Sequence, residues 1–254
     1  MKTMVYLVGA GPGDPELLTV KALRALREAD VVLHDDLVGP EILKLVPATA
    51  NVQNVGKRYG RNHITQDQIN SLMVNFAMAG LTVVRLKAGD PLIFGRAGEE
   101  IEALRRAQIC FEIIPGITAA LGAAAAAQIP LTHRQLASRL ILLTGHRALG
   151  ARDDWRSLIS ADATLVLYMP GEDYSEIASQ LQAAGLHRTT PCALISQTTT
   201  AAQQIHQTTI GELPEVAPLA SPALLIVGAV AEFATQTLSP QLGQSELINC
   251  WAQI

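Results

Sequence analysis

Aromatic side chains are scarce in this chain, 4% of 254 residues, and charged ones make up only 17%. A core without many large rings must be assembled from aliphatic and small side chains, and the abundant alanine lets helices approach closely. Cysteine is nearly missing too. Cys110, Cys192 and Cys250 stand far apart in unrelated contexts, which excludes a disulfide framework and a cysteine-based metal site. The six histidines show no HxxxH spacing, so no zinc or iron centre is expected, and no flanking signature marks a Ser or Cys nucleophile. Long apolar runs are also lacking: the longest, 117–127 and 223–231, contain glycine and fall short of the ~20 residues a membrane span needs. No signal-peptide pattern opens the chain. A net charge of −4 argues against nucleic acid as the main partner. These absences leave a cytoplasmic globular protein whose apolar fraction of 49% buries a sizeable core.

What is present begins with a strand, a glycine loop and a helical segment. The apolar run 4–8 feeds Gly9-Ala-Gly-Pro-Gly13, and Leu17, Leu18, Ala22, Leu23 and Leu26 follow with apolar periodicity. Glycines here permit positive φ and close approach to a ligand, and a helix start behind the loop offers unpaired N–H groups. A dinucleotide fingerprint would place glycine at 14, where Asp14 stands, and Pro12 stiffens the middle. Strands are expected at 31–34, 52–55, 82–86 and 111–114. Helices lie between them, one over 98–107 and one opened by a Thr65/Gln68 capping box with Ile69, Leu72, Met73 and Phe76 on one face. This alternation predicts a mostly parallel sheet covered by helices. Pro115-Gly116 interrupts it, and the small-residue run 118–127 marks the expected domain junction. Further strands are expected at 139–144, 163–169, 191–197 and 223–227, with helices at 155–159 and 177–184. The Thr/Gln-rich 198–209 region reads as extended and antiparallel. The expected architecture is α/β in two domains, 1–115 and 116–234, followed by a tail over 235–254.

Asp35 and Asp36 stand at the carboxyl end of the second strand, where ligands gather in open α/β sheets. They follow Gly13 by 22 and 23 residues, close to the ~20 at which an acid meets a dinucleotide's ribose. A general base in a cleft and a solvated pair are the other two readings. Basic residues cluster by loop in three groups: Lys57, Arg58 and Arg61; Arg85, Lys87 and Arg96; His133, Arg134 and Arg139. If those loops converge they make an anion site suited to several carboxylates; otherwise they are surface charge.

Four stretches together closely resemble the uroporphyrinogen-III C-methyltransferase family, within the wider tetrapyrrole methyltransferases. They are Leu7-Val-Gly-Ala-Gly-Pro-Gly-Asp14; Val84-Arg-Leu-Lys-Ala-Gly-Asp-Pro-Leu-Ile-Phe-Gly-Arg-Ala-Gly-Glu-Glu100; Pro115-Gly-Ile-Thr-Ala-Ala120 with Ile129-Pro-Leu-Thr-His-Arg134; and Ser221-Pro-Ala-Leu-Leu-Ile-Val-Gly228. The resemblance covers about residues 4 to 233 and implies a homodimer of two α/β domains, with S-adenosylmethionine in the cleft between them and S-adenosylhomocysteine as product. The implied cofactor contacts are Pro12, Ala88, Gly89, Asp90, Ile93, Thr118, Ala119, Met169 and Thr198, the last at a position commonly glycine in the family. Asp35 corresponds to its proposed proton acceptor and Lys57 to its proposed donor. Arg58, Arg61, Arg96 and Arg134 are expected to hold the acetate and propionate arms of a tetrapyrrole.

The implied activity is methylation of uroporphyrinogen III on rings A and B, giving precorrin-2 for sirohaem or cobalamin synthesis. No dehydrogenase or ferrochelatase segment precedes Met1, so the single-function form is expected. The alternatives are a methyltransferase for a later precorrin, an NAD-dependent oxidoreductase using Asp35 on ribose, and a non-catalytic binding protein.

Overall fold

In the computed structural model, which describes residues 4–56, 64–145, 155–160 and 162–235, the first half of the chain alternates strand and helix without exception. Its elements are β1 (Val5–Gly9), α1 (Val20–Arg27), β2 (Val31–His34), α2 (Pro40–Leu43), β3 (Asn51–Asn54), α3 (Gln66–Met78), β4 (Val83–Lys87), α4 (Ala97–Arg106) and β5 (Phe111–Ile114). The five strands form one sheet in the order β3-β2-β4-β1-β5, parallel throughout. Both faces are covered, as a parallel sheet requires. Val5 and Leu7 of β1 meet Met73 and Leu104 on one side, whereas Val8 meets Ala22 and Leu26 on the other. Thr65 and Gln68 form the expected capping box at the start of α3, each side chain bonding the other's backbone N–H.

The second half builds a different sheet. It contains α5 (Ala119–Ala126), β6 (Arg139–Thr144), α6 (Trp155–Leu158), β7 (Ala163–Tyr168), α7 (Tyr174–Ala183), β8 (Pro191–Ser196), β9 (Gln204–Thr209) and β10 (Ala223–Val227). The strand order is β6-β7-β10-β8-β9. Only β6 and β7 run parallel; β10 lies antiparallel to both β7 and β8, and β9 antiparallel to β8. The last strand in sequence therefore inserts into the middle, a long-range pairing that local pattern does not encode. Of the Thr/Gln-rich region, only 204–209 is strand, and the antiparallel expectation holds there. The alanines of α5 lie on this second sheet, packed with Val166, Ile195 and Ile226. Cys192 is buried in the opposite layer, and burial pushes its thiol up to about 12, leaving it an inert apolar side chain.

The segment behind the glycine loop departs from expectation. Asp14 and Pro15 start a short 3-10 turn, Pro15–Leu17, and α1 begins only at Val20, capped by the Thr19 hydroxyl. Leu17 and Leu18 therefore lie before the helix. Asp14 accepts the Glu16 N–H and the Pro15 ring fixes φ, which together favour a turn over continued helix.

Thr65→Ala removes one half of the capping box. We expect it to lower unfolding free energy by about 1 kcal/mol with an unchanged m-value, as read by urea denaturation.

Candidate functional site

Every strand of the first sheet ends at the same edge, so the loops after β1, β2, β4 and β5 emerge together. They are held by backbone at close quarters. Ala10 N–H bonds Lys87 O at 2.7 Å, and Gly11 and Gly89 exchange both of their backbone hydrogen bonds, at 3.1 and 2.8 Å. A Cβ at Gly9 would sit 2.5 Å from Gly116 N, and one at Gly116 would sit 2.3 Å from Gly89 O. Three loops thus meet where no side chain fits. Gly11 and Gly89 also need positive φ, +74° and +66°.

The second sheet closes on this edge from across. A Cβ at Gly122 of α5 would lie 2.7 Å from the Pro12 ring, and Gly13 faces Thr198 O and Thr200. Asp14 N–H donates to Thr199 Oγ1 at 3.0 Å. Asp90 ties two loops together, its Oδ1 accepting Leu92 N–H at 2.8 Å and its Oδ2 accepting Gly116 N–H at 3.0 Å. Thr118 Oγ1 shares a hydrogen bond with the Tyr168 hydroxyl at 2.5 Å, and Ala120 N–H donates to the same oxygen at 3.2 Å. Burial raises the Tyr168 pKa, so it stays a neutral phenol. Ile93 packs on the second core beside α5. All nine residues expected to hold a cofactor therefore lie on segments that meet along one seam.

That seam carries backbone strain and uncovered apolar surface. Phe94, Arg96, Met169, Gln197 and Thr199 all have φ between +46° and +60°, although none is glycine. Such conformations cost on the order of 1–3 kcal/mol each and persist where the surroundings impose them. Met169 is 48% exposed and Phe94 41%, with the Phe94 ring 4.9 Å from that of Tyr168. Apolar side chains stand beside Thr118 here, and both Asp90 oxygens are engaged by N–H groups.

Asp35 lies beside the seam, at the end of β2, with 29% of its side chain exposed. It is anchored from beneath. Arg85 Nη2 pairs with Asp35 Oδ1, and Lys87 Nζ is 4.0 Å from Oδ2. Both cations also hold Glu100 Oε1, at 2.8 Å from Arg85 Nε and 3.0 Å from Lys87 Nζ. Burial alone would lower the Arg85 pKa, but attraction to Asp35 and Glu100 outweighs it and raises it. For Lys87, burial and repulsion by Arg85 prevail, and its pKa falls. Asp36 turns instead to Asn54, which donates to it at 2.6 Å, and His34 Nδ1 lies 2.9 Å from Asp35 O.

The arginines do not converge as one group. Arg85 and Lys87, grouped with Arg96 as loop charges, are strand residues buried under Asp35. Arg96 pairs with Glu99 at 2.7 and 2.8 Å at the start of α4. Arg134 is exposed ahead of β6. Lys57, Arg58 and Arg61 lie outside the described residues, as does the tail from 236 onward. Glu100 and Tyr168 were not singled out by sequence reasoning. A signal for Glu100 did exist: alternate residues of β4, Arg85 and Lys87, share a face with apolar Val83 and require a buried acid. Among the described residues no group of three His, Cys, Asp or Glu could hold a metal. A hollow of about 410 Å³ at the edge of β9, lined by His206, Glu212 and Glu215 among others, contains none of these site residues.

Two α/β sheets that meet along the glycine loops of the first, with an anchored carboxylate beside the seam, define a two-lobed α/β architecture with its candidate site where the lobes meet. Residues 4–214 match the model of the Tetrapyrrole (Corrin/Porphyrin) Methylases, and the chain belongs to that family. It is 48% identical to the uroporphyrinogen-III C-methyltransferase of Paracoccus denitrificans over 93% of this chain and 84% of the relative. It is 50% identical to siroheme synthase 2 of Halorhodospira halophila over 94% of this chain, and spans about half the length of that relative, 48%. Uroporphyrin-III C-methyl transferase from Thermus thermophilus, solved in complex with S-adenyl homocysteine, superposes with a TM-score of 0.79 at 38% identity, covering 90% of this chain and 99% of that one. The dinucleotide alternative loses its structural basis. The loop runs into a 3-10 turn, so the helix N-terminus that would hold a pyrophosphate is displaced to Val20.

Gly116→Ala forces the loops after β4 and β5 apart and is expected to destabilise by about 1–3 kcal/mol. Gly98→Ala, at a helical position where nothing lies within 4 Å, is the control and should stabilise by up to about 1 kcal/mol. Thermal unfolding of the two variants checks the opposite signs.

Proposed function

We propose that this chain transfers methyl groups from S-adenosylmethionine to carbon atoms of uroporphyrinogen III, on rings A and B, to give precorrin-2 for sirohaem or cobalamin synthesis. The observation that carries this reading is the convergence of the loops bearing Pro12, Ala88–Asp90, Thr118–Ala119, Met169 and Thr198 on one seam, with Asp35 beside it. We assign the nine seam residues, Pro12, Ala88, Gly89, Asp90, Ile93, Thr118, Ala119, Met169 and Thr198, to the cofactor. Arg58, Arg61, Arg96 and Arg134 are assigned to the carboxylate arms of the substrate, and Asp35 and Lys57 to proton transfer. The two lobes are taken as domains divided after residue 115. A cytoplasmic homodimer belongs to the same proposal; among the described residues no helix is long and apolar enough to cross a membrane.

The bound cofactor supplies an electrophilic methyl on a sulfonium. The protein's first task is to align it with a pyrrole carbon and exclude water, for which the rigid glycine contacts and the strained Met169 and Gln197 backbone provide fixed walls. Positive charge on sulfur disperses as the methyl transfers, so a strong anion beside it would favour the ground state. The neutral Tyr168 hydroxyl and the N–H-bonded Asp90 suit that requirement. On transfer of that methyl, with the S–C electron pair kept by sulfur, the methylated macrocycle would carry a positive charge. Loss of a proton restores neutrality. Its acceptance is assigned to Asp35, a reading supported by that side chain's partial exposure and its anchoring from below by Arg85.

Asp35→Asn keeps the shape and removes the base. We expect kcat to fall about 100-fold or more while calorimetric affinity for S-adenosylhomocysteine changes less than about twofold. Full activity in this variant, or a product mass without two added methyl groups from the parent chain, would contradict the assignment.

A further inference from the structure

Four ionisable side chains lie in one buried corner beneath the seam. Asp35 comes from β2, Arg85 and Lys87 from β4, and Glu100 from α4. The other element packed there, α3, contributes only uncharged amides: Gln66 Nε2 donates to Glu100 Oε1 at 3.3 Å and lies 3.3 Å from Asn70 Oδ1. Asp67, Glu99 and Arg96 stand at the outer rim, Arg96 close enough to feel the charges of both Glu100 and Asp67. Two cations and two anions balance formally.

Their division is uneven. Glu100 is fully buried and a single oxygen, Oε1, receives Arg85 Nε, Lys87 Nζ and Gln66 Nε2, whereas Oε2 has no hydrogen-bond partner among the described residues. Asp35, the only member with appreciable exposure, has Arg85 close on Oδ1 and Lys87 a full 4.0 Å from Oδ2. Lys87 is thus drawn to the inner acid and away from the outer one.

We propose that Glu100 is a positioning residue for the proton acceptor: by holding Lys87 and the Nε side of Arg85, it keeps both cations from clamping Asp35, so that the carboxylate remains anchored yet basic. This rests on the assignment of Asp35 above. Burying a carboxylate solely to satisfy Arg85 would not explain why the same oxygen, Oε1, also takes Lys87. Without Glu100, the corner carries an excess positive charge next to Asp35, which stabilises the ionised carboxylate and weakens it as a base. The lowered proton affinity of Lys87 agrees with a group under strain from burial and from Arg85.

The test uses the full chain with S-adenosylmethionine and uroporphyrinogen III, reading kcat/KM against pH. Glu100→Gln should move the acid limb to lower pH by about one unit and reduce kcat about 3- to 10-fold, with S-adenosylhomocysteine affinity unchanged. Adding Lys87→Met restores the charge balance and should return the acid limb most of the way, an outcome that a merely structural role for Glu100 does not produce. An acid limb that stays in place or moves upward in Glu100→Gln overturns the inference. If Glu100→Gln does not fold, Lys87→Met alone decides: its acid limb should rise, and a fixed or falling limb is the overturning result. Asp35→Asn run alongside separates the two levels. Activity retained there removes the assignment of Asp35 itself, whereas an inactive Asp35→Asn with an unmoved Glu100→Gln limb removes only the role of Glu100.

Discussion

The contact on which the site depends is the meeting of Gly9, Gly89 and Gly116, backbone against backbone at distances no Cβ tolerates. It draws the ends of β1, β4 and β5 into one plane and places the loops that follow them side by side. Hydrogen bonds between Gly11 and Gly89 and from Gly116 to Asp90 then lock those loops together. The second sheet adds its own close approaches, Gly122 on Pro12 and Thr198–Thr200 on Gly13. A ligand held there touches walls whose geometry is set by the backbone rather than by flexible side chains, which is what alignment of two reactants requires.

Beneath that surface, charge is handled in two ways. At the seam, anionic character is muted: both Asp90 oxygens accept N–H groups, and the Tyr168 phenol is kept neutral by burial. In the adjoining corner, charges are concentrated and paired, with Asp35 offered outward on a foundation of Arg85, Lys87 and Glu100. Methyl transfer from a sulfonium and acceptance of a proton call for different fields. In the reading proposed above, the first falls to the loops after β4, β5 and β7 and the second to the sheet face toward α3 and α4.

Much of the first half was legible in sequence because its signals are local. Alternating apolar runs, the Thr65/Gln68 box and the turn chemistry at Gly89-Asp90-Pro91 each specify structure within a few residues, and the parallel sheet follows from their order. The second half was less legible: strands were expected at 139–144, 163–169, 191–197 and 223–227 and are present within a residue of those bounds, but the insertion of β10 between β7 and β8 is a pairing across tens of residues. The seam residues came from resemblance to a known family, not from spacing. The structure supplies the physical link among them, such as Thr118 to Tyr168, that no linear pattern contains.

The sequence by itself determined the α/β class, the capped helices, the aliphatic core and the glycine loops, because periodicity, capping and φ preference act over a few residues. The tertiary structure alone decided which charges are solvated and which are buried. In the sequence Arg85 and Lys87 read as members of a basic loop cluster, and Glu100 was not singled out; only the packing of α3 and α4 over β4 buries all three, so that both cations pair with Glu100 and Arg85 also with Asp35. It likewise decided that the helix behind the glycine loop starts at Val20, since the 3-10 turn and the Thr199 contact from the other sheet hold the chain at Asp14.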